Sequence, residues 1–145
     1  MTLFQFQYKA NMDKIIISNG SKNIVIGTKI AITEKDHEQG LMFKAWPPPI
    51  MSFPYDTLEV RSFWMHNTPS PLDIVFCKDN KVVGVFAGTP LSLEHLGPKL
   101  PINLVVEMPL GYARKLNINS NTKIELKYSL ITLAKKYDYQ LSALA

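Results

Sequence analysis

The chain predicts a mainly β fold, an antiparallel β-sandwich or barrel carrying two short helices. Three observations carry that expectation. Short runs rich in β-branched residues recur along the chain, as in residues 14–18 (KIIIS) and 72–77 (LDIVFC). Residues that tolerate positive φ stand between such runs, as Asp79-Asn80 does, and suit tight hairpins. Ten prolines and seven glycines in 145 residues exclude collagen-like and coiled-coil architectures.

The elements follow in order. Residues 14–18 form a first strand. Residues 23–33 (NIVIGTKIAIT) form an extended run in which Ile24, Ile26, Ile30 and Ile32 share one parity and face inward. Thr33 then caps a short helix, with Glu34 and Asp36 in its first turn and Gly40 at its end. Pro47, Pro48 and Pro49 make an extended connector, because proline brings no N–H to a sheet. Strands are expected over 58–66, 72–77, 81–87 and 103–108. Residues 109–117 hold a second short helix. Residues 122–129 alternate again, with Ile124, Leu126 and Tyr128 on one side. In the tail, Leu130, Leu133, Ala134, Tyr137 and Leu141 have helical spacing, while 129–133 also fits a prolonged strand.

The bulk numbers fit one folded domain over residues 1–145. Hydrophobic residues make up 46% and charged residues 19%, which excludes disorder as the main state. The lone cysteine, Cys77, excludes an intramolecular disulfide. The opening MTLFQFQYKA has no basic start with a long apolar run behind it, so no signal peptide is expected. No apolar stretch is long enough to span a bilayer. Together these features lead to the expectation of a cytoplasmic protein, in its own cell or in the cytoplasm of a host, away from membranes. Of the net +4 charge, residues 112–145 hold six bases against two acids, whereas residues 45–111 hold four bases against six acids. That acidic middle segment is poorly suited to phosphates.

Five motifs stand in sequence: Gly40-Leu41-Met42-Phe43-Lys44, then SFWMHNT at 62–68, PLDIVF at 71–76, VVEMP at 105–109 and GYA at 111–113. This order resembles the bacterial domain-of-unknown-function family 192, with its GLM-x-R, FWMKNT, PLDI and LELPAG elements. The resemblance runs from Asn23 to Lys127 and leaves 128–145 as a C-terminal extension. It departs from the family at Lys44 (usually Arg), His66 (usually Lys), Leu110-Gly111 (usually Ala-Gly) and Asn121-Thr122 (usually Gly-Asp). The frequent secretion signal of the family is absent. The resemblance implies a jelly-roll-like β-sandwich and no established activity.

The candidate site residues come from the middle segment. Trp64 and His66 share a parity and point to one face of their run, with Phe63 and Met65 on the other. An aromatic plate, an imidazole and the Asn67 amide can stack and bond a sugar-like ligand. The bland alternative is that Trp64 covers a core edge and Asn67 fixes a turn. Asp73 and Glu107 each sit in an apolar run, where a carboxylate is costly unless bonded or paired. Asp73 is expected to accept backbone N–H bonds from the loop at 67–70 or to serve a ligand, and Arg61 is placed to neutralise either acid. Lys44 completes the candidate set.

The expectation is a binding module rather than an enzyme, with a groove for a small polar, saccharide-like ligand or a partner protein's loop. One alternative is a hydrolase of glycosidic or phosphodiester bonds using Asp73 and Glu107 as a carboxylate pair. Another is a nucleic-acid binder using Arg114-Lys115 and Lys135-Lys136 beside Tyr112, Tyr128, Tyr137 and Tyr139. A third is a structural assembly protein, the oligomeric state being left open. No cofactor or metal is expected. His37, His66, His95 and Cys77 lack ligand spacing, and there is neither a nucleophile elbow nor a glycine-rich phosphate loop.

Overall fold

A computed structural model describes residues 12–144 of the chain. The elements are β1 (Lys14–Asn19), β2 (Lys22–Gly27), β3 (Lys29–Ile30), α1 (Glu34–Gln39), β4 (Met51–Val60), β5 (Leu72–Lys78), β6 (Lys81–Gly88), β7 (Pro101–Pro109), α2 (Tyr112–Lys115), β8 (Lys123–Lys127) and α3 (Leu130–Ala143). The fold is mainly β. Its eight strands form one sheet in the order β2-β1-β8-β6-β5-β7-β4-β3. Every neighbouring pair is antiparallel except β3 with β4.

Two cores cover opposite faces of the central strands. Leu72, Ile74 and Phe76 of β5 join Phe53, Met65, Ile102 and Val105 in one core. Val75 and Cys77 join Ile15, Ile17, Val106, Met108 and Ile124 in the other. This is why β5 reads as a near-continuous apolar run, since a strand covered on both sides has no solvent face to fill with polar residues. The Asp79-Asn80 turn between β5 and β6 holds both residues at positive φ (46° and 68°), as the hairpin reading requires.

The expected first helix forms as α1. The Thr33 side chain accepts from the Asp36 N–H at 3.0 Å, and the Asp36 carboxylate accepts from the Thr33 N–H at 3.0 Å, a complete capping box. Gly40 ends the helix at φ 48°. The two ring nitrogens of His37 lie 3.0 Å from the Thr33 carbonyl oxygen and 3.1 Å from that of Pro54, which ties α1 to β4.

Several expectations need correction. The sheet has two free ends, β2 and β3, so it is not a closed barrel. The described residues hold three helices rather than two, because the tail is the helix α3, begun by Ser129 accepting from the Thr132 N–H at 3.2 Å. The 23–33 run breaks at Thr28 into β2 and β3, and Ile24 is exposed. As a terminal strand β2 has a neighbour on one side only, and Ile26 is its residue that packs on a core. The strand expected over 58–66 belongs instead to β4, which starts at Met51 and ends at Val60. Residues 61–66 then run as irregular chain pinned by a bridge between Phe63 and Leu96.

Helix α3 buries none of its side chains. It touches the body through its polar side. Thr132 donates to the Asp13 carboxylate at 2.6 Å, and the Tyr139 hydroxyl accepts from the Glu34 N–H at 3.2 Å. Leu130, Tyr137, Leu141 and Leu144 face outward and are exposed. No helix of the described chain is long and apolar enough to cross a membrane.

Candidate functional site

Glu107 lies on β7, opposite Met51 of β4 and Ile74 of β5, and so faces the core built around Phe53 and Phe76. The residue is 5% exposed. Burial pushes its carboxyl up to about 8, and among the described residues no nearby cation or hydrogen-bond donor offsets that cost. Its carboxyl is nevertheless not sealed in. Among the described residues every fully enclosed side-chain nitrogen or oxygen has a hydrogen-bond partner. The unbonded Glu107 oxygens therefore keep access to a pocket of about 180 Å³ that Glu107 helps to line.

The pocket walls come from three segments. β4 supplies Phe53 and Tyr55, the irregular chain after β4 supplies Phe63, Trp64 and His66, and α1 with its exit turn supplies His37 to Met42. Gly40 sets how closely that turn approaches. A Cβ built there would stand 3.3 Å from Phe53 and 3.5 Å from Glu107 Oε1, at a positive φ that side chains disfavour. Phe53 packs edge-on against Phe63 with ring centres 5.1 Å apart. Trp64, 43% exposed, lies between two imidazoles, with ring centres 4.9 Å from His66 and 5.6 Å from His95. Burial also raises the Tyr55 hydroxyl to about 12, with the Arg61 charge lowering it and Glu107 raising it further.

Three of the expected residues meet here: Trp64, His66 and Glu107. Trp64 and His66 both line the pocket, but so does Phe63, expected on the other face, because the irregular chain after Val60 does not keep a strand's alternation. Met65 is fully buried. Asn67 stands next to it. Its amide lies 3.2 Å from His66 Nε2, and its carbonyl accepts from the Phe43 N–H at 2.8 Å while its own φ is 53°. Lys44 is exposed and outside the lining, and its carbonyl accepts from the Ser70 hydroxyl at 2.9 Å.

Asp73 and Arg61 are elsewhere. Asp73 pairs across the sheet with Met108, so it faces the opposite core from Glu107. Its Oδ2 accepts from the Gly111 N–H at 2.9 Å and the Ala113 N–H at 3.0 Å, holding the start of α2. The expected donors in the loop at 67–70 are thus replaced by donors nearly forty residues on. Arg61 neutralises neither acid. Its guanidinium pairs with Glu59 at 2.7 Å, donates to the Ile102 carbonyl at 2.7 Å and lies 3.8 Å over the Tyr55 ring. A carboxylate pair of Asp73 and Glu107 is therefore not formed, and the hydrolase alternative loses its geometry.

His37, Tyr55 and the Gly40 turn were not among the expected site residues. Gly40 had a local signal, as the end of a capped helix, but its approach to Glu107 depends on α1 docking over β4. Nothing in the spacing of His37 or Tyr55 pointed to the pocket. Cys77 is fully buried, and burial raises its thiol to about 12, so it has no thiolate to offer. Among the described residues no three His, Cys, Asp or Glu side chains gather as a metal site.

These features define a class: an open, mainly β sheet in which a short capped helix and an irregular aromatic segment close a small pocket over a buried acid. Residues 15–126 match the model of the family DUF192, described as "Uncharacterized ACR, COG1430". The chain belongs to the DUF192 family. The match begins at Ile15, within β1 and ahead of the Asn23 expected from the motifs. Helix α3 lies outside it. No curated protein matches the chain.

Two solved structures are similar. One is a protein of unknown function from Novosphingobium aromaticivorans DSM 12444, 28% identical, covering 77% of this chain and 83% of that one with a TM-score of 0.70. The other is a "putative transcription regulator" from Sinorhizobium meliloti 1021, 23% identical, covering 79% and 92% with a TM-score of 0.72. At that identity the second likeness speaks to the fold alone.

Proposed function

We propose that this chain is a binding module whose pocket over Glu107 takes a small polar group, either a free ligand or one side chain of a partner's loop. The observation that carries this reading is the Glu107 carboxyl, buried and unbonded among the described residues yet open to the pocket. A buried polar group without a partner costs roughly 1–3 kcal/mol. A ligand that bonds it recovers that cost. The half-exposed Trp64 at the mouth offers a flat apolar surface beside it. With about 180 Å³ the pocket is smaller than a drug-sized site and suits a monosaccharide-sized molecule at most. We also read the sheet as a jelly-roll-like sandwich, a reading supported by the antiparallel pairing of every neighbouring strand but β3 with β4.

The test is a screen of monosaccharides, polyols, short amines and short acids by protein-observed NMR. Binding should shift the Trp64 indole and His66 ring signals. Trp64→Ala should weaken it about tenfold, the effect of losing one good aromatic contact. A screen in which no compound moves those signals, or in which Trp64→Ala binds as well as wild type, overturns the reading.

A further inference from the structure

The charges and rings around the pocket narrow its ligand, and the inference rests on the binding reading above. Among the described residues the lining contains two carboxyl side chains, Glu38 and Glu107, and neither Lys nor Arg. Arg61, the cation behind Tyr55, is already engaged by Glu59 and by main-chain oxygens. Four aromatic rings, Phe53, Tyr55, Phe63 and Trp64, contribute to the walls. Ring faces attract cations, and more strongly where water is excluded. An acid in an aromatic pocket, with no cation among the described lining residues, is complementary to a positive group and offers no partner charge to a negative one.

We infer that the pocket binds an organic ammonium ion, its charged nitrogen bonded to the Glu107 carboxylate and its alkyl substituents against the aromatic walls. A saccharide would leave the acidic, cation-free lining unused. An anion would find no counter-charge in it. The titratable and charged groups that line the pocket with Glu107, among the described residues, are His37 and Glu38 from α1, Tyr55 from β4 and His66 from the segment after β4, with Arg61 over the Tyr55 ring.

Proton balance supplies the distinguishing readout. Glu107 holds its proton at neutral pH, so an ammonium ion that pairs with the carboxylate must release that proton to solvent. Affinity for n-propylammonium should therefore rise about tenfold per pH unit between pH 6 and 7 and level off above 8. Calorimetry in buffers of different ionisation enthalpy should count close to one proton released per ligand at pH 6.5. Isosteric n-butane and n-propanol probes carry no charge and should show no such slope. Nα-acetyl-lysine-N-methylamide, run in parallel, separates a lysine side chain from a free amine, since only a pocket open enough for peptide takes both.

Glu107→Gln keeps the shape and removes the acid. It should lose most ammonium affinity and the Glu107 share of the pH slope. Any contribution of the His37 and His66 imidazoles survives in that variant, so the difference between the two slopes belongs to Glu107. Because Gln buries no charge, the variant is expected to fold, and its NMR spectrum away from the pocket verifies this. Equal ammonium binding by wild type and Glu107→Gln overturns the inference. So does binding of neutral polyols at the Trp64 and His66 signals with no response to amines, a result that leaves the binding reading standing. No response to any probe removes both.

Discussion

Asp73 and Glu107 sit on adjacent strands one rung apart, yet their side chains leave the sheet on opposite faces. Asp73 stands across from Met108, and Ile74 stands across from Glu107. Their environments differ as much as their directions. Asp73 accepts two main-chain N–H bonds at the start of α2, whereas Glu107 accepts none and meets a pocket. One acid is structural, and the other is available to a ligand.

Asp73→Ala should therefore lower stability and spare the pocket. Removing the acceptor leaves two N–H groups at a helix start without their partner, and leaving buried donors unsatisfied costs about 1–3 kcal/mol. A urea midpoint shifted by a loss of that size, with the Trp64 and His66 NMR signals unmoved, is the expected result. Unchanged stability together with lost ligand binding would return Asp73 to the site.

Glu107 sets a pH dependence of the opposite kind to that of an ion-paired acid. Its folded value near 8 lies above its ordinary 4.5, so between those pH values the folded chain holds a proton that the unfolded chain has released. The stability associated with that proton is complete below about pH 4.5 and is lost as pH rises through 8. The loss is on the order of a few kcal/mol, since one pK unit corresponds to about 1.4 kcal/mol. Denaturant melts at pH 5 and pH 9 should show wild type weakening across that span and Glu107→Gln weakening much less. Parallel curves for the two proteins would mean that the carboxyl is ionised at neutral pH.

Gly40 couples the end of α1 to the pocket. An alanine there carries a side chain at positive φ, which costs roughly 1–2 kcal/mol, and its Cβ meets Phe53 at 3.3 Å. Gly40→Ala should destabilise the protein by about that amount and also weaken ligand binding, because the same Cβ stands 3.5 Å from Glu107 Oε1. A melting shift with unchanged affinity would show that the turn yields without disturbing the acid.

What was legible in the sequence divides by range. The Thr33 cap, the Gly40 stop and the Asp79-Asn80 turn are written in neighbouring residues, and each forms as read. Trp64 and His66 do come together, but not by alternation, since their segment is not a strand and Phe63 of the other parity lines the same pocket. Asp73 and Glu107 looked alike because each is an acid within an apolar run. Their separation depends on the β5–β7 register, which no local pattern records. Arg61 looked free to meet either acid because its partner Glu59 lies two residues back on the outgoing strand. The start of β4 was missed because Pro49 and Pro54 break the alternation, and that gap concealed Phe53 and Tyr55 as pocket walls. His37 was hidden for a related reason, since its position follows from α1 docking on Pro54.

Helix α3 should be dispensable for the stability of the sheet. It lies beyond the family match and buries no side chain, and burial is what gives most helices in proteins their stability. Its anchors are near its beginning. Ser129 is 4% exposed and its N–H donates to Asp13 at 2.7 Å, while Thr132 donates to the other Asp13 oxygen at 2.6 Å. Beyond Thr132 the attachments include the single 3.2 Å bond to Tyr139, which is solvent-exposed. Removal of residues 133–145 should thus cost no more than about 1 kcal/mol, as expected for loss of exposed contacts. Asp13→Ala should cost more, because it removes the acceptor of both anchoring bonds at once. Thermal melts of the two variants decide the point. A truncated chain that unfolds many degrees below wild type would mean that the outward apolar residues of α3 are covered in solution, and sedimentation of the full chain would then show whether a second copy covers them.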